Sequence, residues 1–375
     1  MRIGFIGLGK LGMPCAEEMT RQHEVIGYDV EHRVSAHVKI TQDIREVFNN
    51  TEIIFIAVPT PHHPDYDGSN PTTHLPVKDF DYSLVIDVLK QCQRYAHKNQ
   101  IVSLISTVLP GTTRREFARY TRNFQFVYNP YLIAMGSEAY DMVHPDMVII
   151  GTEYGEDTIA SQTLSKFYKK LILNNAQQMT GTWEEAEGFK IFYNTMISAR
   201  LSLVNMIQDV AQKIGHMNVD KITDAFKQAS VRITGQGYYK AGMGDGGACH
   251  PRDNIALSWL AKELNLGYDL FGAIMSAREQ QAENMAQEIL RHGRVIYFTS
   301  NAYKPGTDLV DGSYSLLVQH YIQKHQGLIA SQLDDSVQVI VRVHESDSFV
   351  DNGRCTVFDT WRTYPPADNV IYYGK

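Results

Sequence analysis

The sequence predicts an α/β fold in three parts: a doubly wound parallel sheet over residues 1–182, a helical middle over 183–290, and a short second α/β region over 291–375. Three observations carry this. Short, continuously apolar runs alternate with helical stretches through the first half, the pattern of strands buried on both faces of a parallel sheet. From Trp183 to Ile214 no proline occurs, and apolar residues (Phe189, Phe192, Tyr193, Met196, Ile197, Leu201, Val204, Ile207, Val210) return at helical spacing. Beyond residue 290 apolar runs alternate with a helical stretch once more. A length of 375 residues suits two or three domains of about 150 each.

Composition narrows the class. With 43% hydrophobic and 21% charged residues, the chain is neither disordered nor fibrous. A net charge of −7 argues against a general nucleic-acid or membrane-surface binder, although a single basic pocket is compatible with it. Cys15, Cys92, Cys249 and Cys355 lack CxxC spacing, so neither a disulfide framework nor a zinc site is expected, and a reducing compartment is. No apolar run reaches the ~18 residues of a membrane span, and the N-terminus enters a strand without a signal peptide. A cytoplasmic protein without a bound metal is the expectation.

The elements follow in order. Ile3–Ile6 reads as a strand and runs into Gly7-Leu8-Gly9-Lys10-Leu11-Gly12, after which a helix-forming stretch begins. GxGxxG between strand and helix is the turn of a Rossmann-type dinucleotide fold: its glycines let backbone N–H groups reach a pyrophosphate, which the helix N-terminus attracts. A second strand, Glu24–Tyr28, closes on Asp29, 22 residues beyond Gly7. A carboxylate about 20 residues on holds the adenosine ribose diol and repels a 2′-phosphate, so NAD is expected rather than NADP.

Further strands are read at Ile53–Val58, Ile101–Ile105 and Phe126–Tyr128. They end in Pro59-Thr60-Pro61, Ser106-Thr107 and Asn129-Pro130. Ligands collect at the carboxyl ends of such strands. The cofactor candidates are therefore Gly7, Gly9, Lys10, Leu11, Gly12, Asp29, Val58, Pro59, Thr60, Ser106 and Thr107. His62, His63 and Asp65 could suggest a metal, but the polar, proline-rich stretch 62–76 reads better as a surface loop.

On the long helix Lys190 and Asn194 are four residues apart and share a face. Such a pair usually means a solvated face; on so apolar a helix it suggests a cleft. Residues 242–247 carry four glycines in six positions, and Cys249 follows with His250, Arg252 and Asp253 beside it and a helix over Asn254–Leu264. Glycines admit close backbone approach, and a thiol at a helix start among basic groups is the setting of a nucleophilic cysteine. The other three cysteines read as inert buried thiols.

These segments resemble, in order, those of the UDP-glucose/GDP-mannose dehydrogenases, the nucleotide-sugar 6-dehydrogenases: GLGKLG (7–12), VPTP (58–61), STVLPGTT (106–113), YNP (128–130), AEGFKIFYN (186–194), GMGDGGACHPRD (242–253) and AYKPGTD (302–308). The resemblance implies oxidation of a sugar C6 alcohol to a carboxylate with two NAD reduced, Cys249 carrying a thiohemiacetal and then a thioester. It implies Lys190 and Asn194 as oxyanion donors, and Asp253 and Thr107 as holders of the hydrolytic water. Substrate contacts are implied at Tyr131, Leu132, Lys190, Asn194, Arg232, Lys240, Gly246, Gly247, Lys304 and Arg362. A small C-terminal domain would bind the nucleotide, a UDP-sugar being favoured, and a homodimer would form through the central helices.

The chain departs from the family at three places. Tyr131-Leu132-Ile133-Ala134-Met135-Gly136 stands where the family has two glutamates, Arg252 replaces its lysine, and Asp311 falls where an arginine is usual. Asp253, Glu187 or Glu138 would have to replace the lost water-orienting acid. Two alternatives stay open: a β-hydroxyacid or 6-phosphogluconate-type dehydrogenase, which shares GFIGLG and a Lys-xxx-Asn pair but has no use for Cys249, and a nucleotide-binding homologue without catalysis.

Overall fold

β1 (Arg2–Ile6) is buried from Ile3 onward and lies inside an eight-stranded sheet. The structure, a computed structural model, describes residues 1–49, 51–61, 71, 74–235, 241–243, 249–351 and 353–374. It divides into two compact units, Met1–Ala199 and Arg200–Lys375, each with its own sheet.

In the first unit α1 (Gly12–Met19), β2 (Glu24–Tyr28), β3 (Lys39–Thr41), α2 (Ile44–Phe48) and β4 (Ile53–Ile56) follow β1. Next come α3 (Ser83–Tyr95), β5 (Ile101–Leu104), a π-helical turn (Thr113–Phe117), a 3-10 turn (Ala118–Tyr120) and β6 (Gln125–Tyr128). The unit continues with α4 (Glu138–Val143), β7 (Met147–Thr152), α5 (Ile159–Leu171) and β8 (Gln177–Thr182). The strand order is β3-β2-β1-β4-β5-β6-β7-β8. The first six strands run parallel in the 3-2-1-4-5-6 order of a dinucleotide fold, and the order reverses beside β1. β7 pairs antiparallel with β6, because the chain turns back through α4 without a crossover, and β8 then pairs parallel with β7.

Alternation along the strands feeds two cores. Ile3, Phe5, Ile53 and Phe55 join Leu164 and Phe167 of α5 on one face. Ile6, Ile54 and Ile56 join Leu89 of α3 and Phe117 on the other. Each of these side chains is at most 2% exposed, so burying each contributes about 1.5–3 kcal/mol.

α6 spans Trp183–Ile214, the range its apolar spacing predicts, and the division between units falls within it. The second unit continues with α7 (Val219–Gln228), α8 (Cys249–Glu263) and α9 (Leu270–Leu290). α8 begins at Cys249 rather than Asn254. Pro251 is compatible with this, because in the first turn its missing N–H would have no helical partner anyway.

The chain then lays down β9 (Val295–Phe298), α10 (Tyr314–Lys324), β10 (Leu328–Ala330), β11 (Val339–Arg342), β12 (Thr356–Asp359) and β13 (Val370–Tyr372). All five strands are parallel, in the order β10-β9-β11-β12-β13. Ala282, Met285 and Ile289 of α9 and Val318 and Ile322 of α10 cover one face. Leu333 and Phe349, from loop connections, help to cover the other. Among the described residues the short C-terminal region thus forms a five-stranded parallel sheet in which loops replace several crossover helices.

Candidate active site

The three glycines after β1 do three different jobs. Gly7 has φ +94°, and a Cβ there would meet the Ala57 carbonyl oxygen at 2.6 Å. A Cβ on Gly12 would meet the Gly7 oxygen at 1.9 Å, so α1 can start only where it does. A Cβ on Gly9 would have nothing within 4 Å, because Gly9 lines an open cleft. No side chain caps α1, which leaves backbone N–H groups at its start for an anion.

That cleft has a volume of about 870 Å³ and runs along the carboxyl ends of β1, β2, β4 and β5. All the cofactor candidates line it: Gly7, Gly9, Lys10, Leu11, Gly12, Asp29, Val58, Pro59, Thr60, Ser106 and Thr107. Two hydroxyls lace its floor: Thr60 Oγ1 donates to the Thr107 carbonyl at 2.6 Å, and Ser106 Oγ donates to the Val58 carbonyl at 2.6 Å. The Asp29 carboxylate accepts the N–H of Leu8 at 2.7 Å and of Glu31 at 2.8 Å. Arg33, which also lines the cleft, lies 3.6 Å from Asp29 and 2.6 Å from Glu31. The sequence reading missed Arg33 and Glu31; only their closeness to Asp29 could have flagged them. The Asp29 carboxylate, set at the ribose position, suits a ribose diol and repels a 2′-phosphate. The open Gly9, the uncapped helix start and the carboxylate at the ribose position all fit a dinucleotide.

At the other end of the cleft stand Thr107, Tyr131 and Lys190. Lys190 is 9% exposed and makes no ion pair among the described residues, and burial pulls its pKa below the ordinary lysine value. An ammonium held this way, short of partners, is an electrophilic donor. Asn194, one turn further along α6, is exposed and does not line the cleft. The Tyr131 hydroxyl accepts from that of Tyr168 at 3.0 Å, and Tyr168 also bonds Asn129. Leu132 packs against the apolar cluster with Tyr128 and Trp183 and is not among the cleft's lining residues.

Two acids considered as substitutes for the family's glutamates are already engaged. Glu187, fully buried on α6, accepts the N–H groups of Gly111 at 2.6 Å and Thr113 at 2.7 Å, and burial raises its pKa. Glu138 accepts the Gly136 N–H at 2.9 Å.

In the second unit Cys249 is the one exposed cysteine; Cys15, Cys92 and Cys355 are buried. It occupies the first position of α8. Arg252 bonds Asp253 at 2.9 Å and also reaches the Cys249 side chain; these contacts, Asp253 first, raise the guanidinium's pKa. Positions i, i+3 and i+4 of one helix face therefore hold thiol, cation and carboxylate. Arg232 is exposed after α7, and Lys304 is exposed over the Tyr303 ring at 5.4 Å. Arg362 donates to the carbonyls of Thr360, Tyr373 and Ala241. Lys240, Gly246 and Gly247, like His62, His63 and Asp65, lie outside the described residues. No helix among the described residues is long and apolar enough to cross a membrane.

Comparison with known proteins places the two halves of this arrangement in one family. Residues 30–172 match the NAD-binding domain of the UDP-glucose/GDP-mannose dehydrogenase family, and residues 184–280 match its central domain. The chain is 26% identical to a UDP-glucose 6-dehydrogenase of Rickettsia felis over 286 residues, 74% of this chain and 60% of that one. It is 25% identical to a GDP-mannose 6-dehydrogenase of Pseudomonas putida over 381 residues, 92% of this chain and 83% of that one. The match thus spans 60% and 62% of the length of the Rickettsia felis and Rickettsia prowazekii UDP-glucose 6-dehydrogenases. In fold it resembles a crystal structure of a ternary complex of GDP-mannose dehydrogenase from Pseudomonas aeruginosa, with a TM-score of 0.81, 21% identity and 99% of both chains covered. With both family domains present in order, the chain belongs to the UDP-glucose/GDP-mannose dehydrogenase family, and NAD is the cofactor of its first domain.

Proposed function

We propose that this protein is an NAD-dependent nucleotide-sugar 6-dehydrogenase that oxidises the sugar C6 alcohol to a carboxylate, with a UDP-hexose as the favoured substrate. The observation that carries this is the cleft in the first unit, where a glycine turn built for a dinucleotide shares walls with a buried Lys190 and with Thr107, neither side chain having a polar partner among the described residues. The exposed Cys249 at the head of α8 supplies the nucleophile.

When bound, NAD accepts the hydride in each of two oxidations. The chain's residues do the rest. Lys190, with Asn194 as a second donor, stabilises negative charge on the C6 oxygen. The Cys249 thiolate adds to the aldehyde carbon, giving a thiohemiacetal; loss of hydride from that carbon leaves a thioester. Water held by Asp253 and Thr107 cleaves the C–S bond, returning the thiol and releasing the uronic acid. Arg232, Lys240, Lys304 and Arg362 remain candidate contacts to the nucleotide sugar, with Tyr131, Leu132, Gly246 and Gly247 beside the sugar. An uncovered apolar face on α6, with Phe192, Met196 and Leu201 each more than half exposed, supports a homodimer through the central helices. A cytoplasmic location suits a free thiol nucleophile.

A second reading rests on Tyr131, a buried hydroxyl where the family has an acid, and on the engagement of Glu187, Glu138 and Asp253. In that reading the second oxidation or the hydrolysis fails. NADH formation with a panel of UDP-, GDP- and dTDP-sugars separates the two. Two NADH per sugar over many turnovers, abolished by Cys249→Ala, supports the full reaction; one NADH with released aldehyde, or a single burst of two NADH per enzyme that then stops, supports the second reading. No turnover with NAD still bound refutes both.

A further inference from the structure

Asp359, fully buried at the end of β12, accepts the N–H groups of Trp361 at 3.0 Å, Thr363 at 2.7 Å and Tyr364 at 2.8 Å. Its carboxylate also lies 3.5 Å from the Arg342 guanidinium. These bonds fold the chain into a tight corner in which Arg362 takes φ +60°, a left-handed conformation that a non-glycine residue keeps only where its surroundings enforce it.

The corner presents two side chains to one tripeptide, Ala241-Gly242-Met243, where the described part of the glycine-rich run begins. Arg362 Nη2 donates to the Ala241 carbonyl at 2.6 Å, while Nη1 donates to Thr360 at 2.5 Å and Tyr373 at 3.0 Å. Trp361 is fixed by its indole N–H, which donates to the Val343 carbonyl at 2.8 Å. Its ring lies so close to Gly242 that a Cβ there would meet it at 2.3 Å. Met243, 3% exposed, sits in the core with Phe298, Tyr314 and Phe358. Three successive residues are thus held by a carbonyl bond, a ring face that admits only glycine, and a buried side chain.

We propose that Trp361 and Arg362 are positioning residues for Cys249: by clamping Ala241–Met243 to the C-terminal sheet they fix where the cysteine loop starts. The inference rests on the reading of Cys249 as nucleophile. Cys249 is six residues beyond Met243, a tether of at most about 20 Å. The guanidinium of Arg362 thereby acts on this chain's own backbone, and the strain at its φ is maintained by the contact it makes.

The test uses the full-length enzyme with Arg362→Ala, Arg362→Lys and Gly242→Ala. Three quantities are read: NADH per sugar in the presence of an alkoxyamine that traps free aldehyde, the alkylation rate of Cys249 by iodoacetamide, and the Kd for NAD. Loss of the clamp lowers kcat at least tenfold, drops NADH per sugar as trapped aldehyde accumulates, and changes the alkylation rate at least threefold. The Kd for NAD stays within twofold, and Arg362→Lys recovers part of the loss through a single donor to Ala241. A merely structural role would slow both oxidations together and release no aldehyde. Wild-type stoichiometry and alkylation rate in Arg362→Ala overturn the proposal. Should that variant not fold, the same result in Gly242→Ala overturns it. If Cys249→Ala still gives two NADH, the nucleophile reading fails instead, and the alkylation rate still decides whether the clamp positions the loop.

Discussion

The carboxylate of Asp29 accepts the backbone N–H of Leu8 at 2.7 Å, so the end of β2 holds the middle of the glycine turn. One side chain thereby serves both the turn and the ribose position beside it. Asp29→Asn keeps an acceptor for Leu8 but loses the charge. It is expected to leave the thermal midpoint nearly unchanged, weaken NAD binding about tenfold and narrow the preference over NADP. Asp29→Ala removes both functions and costs about 1–3 kcal/mol as well. Calorimetric titration with the two dinucleotides, beside thermal melts, checks both; equal effects of Asn and Ala on binding and stability would refute the dual role.

Gly9 and Gly12 separate binding from folding. A methyl at Gly9 meets nothing within 4 Å and projects where the cleft is open, so Gly9→Ala should melt like wild type yet bind NAD at least tenfold more weakly. A methyl at Gly12 collides with the Gly7 carbonyl at 1.9 Å, so Gly12→Ala should lower the melting temperature as well as abolish binding. Identical behaviour of the two variants would contradict this division.

Burial lowers the pKa of Lys190, and its protonated form is the oxyanion donor. Activity should therefore decline as pH rises through that lowered value, earlier than an ordinary lysine would allow. Lys190→Arg stays charged throughout and should show no such basic limb, at reduced kcat because the forked cation fits a different geometry. Lys190→Ala should lose about 10²-fold or more in kcat. A pH–rate profile of the three proteins decides; a basic limb that persists in Lys190→Arg would exclude Lys190 as its source.

Glu187 holds the start of the π-helical turn through two backbone N–H groups. Glu187→Ala strands both donors and should destabilise the protein by about 2–4 kcal/mol in chemical denaturation. Because burial raises this carboxyl's pKa, the folded state keeps the proton longer than the unfolded chain. Its contribution therefore falls as pH rises from the ordinary glutamate range through the raised value, and the variant should lack that slope. An unchanged pH dependence would mean the group is ionised throughout.

Thiol reactivity gives a direct check on the cysteine assignments. Cys249 is exposed, while burial raises the pKa of Cys15, Cys92 and Cys355. Native protein should consume one equivalent of a disulfide reagent quickly, and denatured protein four. Rapid loss of a second thiol in the native state would show that one of the three is accessible.

Much of this arrangement was legible in the sequence because it rests on local rules. Strand periodicity, the glycine spacing and the proline-free stretch 183–214 each encode an element within a few residues of itself. What was not legible depends on pairs distant in the chain. Glu187 looked like a possible base, yet its partners Gly111 and Thr113 lie more than 70 residues away. Nothing near Arg362 in the chain announces that its guanidinium reaches Ala241, 121 residues back. α8 starts five residues before Asn254, and the first helical turn tolerates Pro251. The antiparallel β6–β7 pair has no signature in either strand.

The two hydroxyl laces, Thr60 to Thr107 and Ser106 to Val58, have a thermodynamic consequence. They immobilise the carboxyl ends of β4 and β5 when the chain folds. A dinucleotide arriving later meets walls already set, and little segmental freedom is left to lose on association. What these two strand ends contribute to affinity then comes from the complementarity of their surface rather than from their ordering on binding.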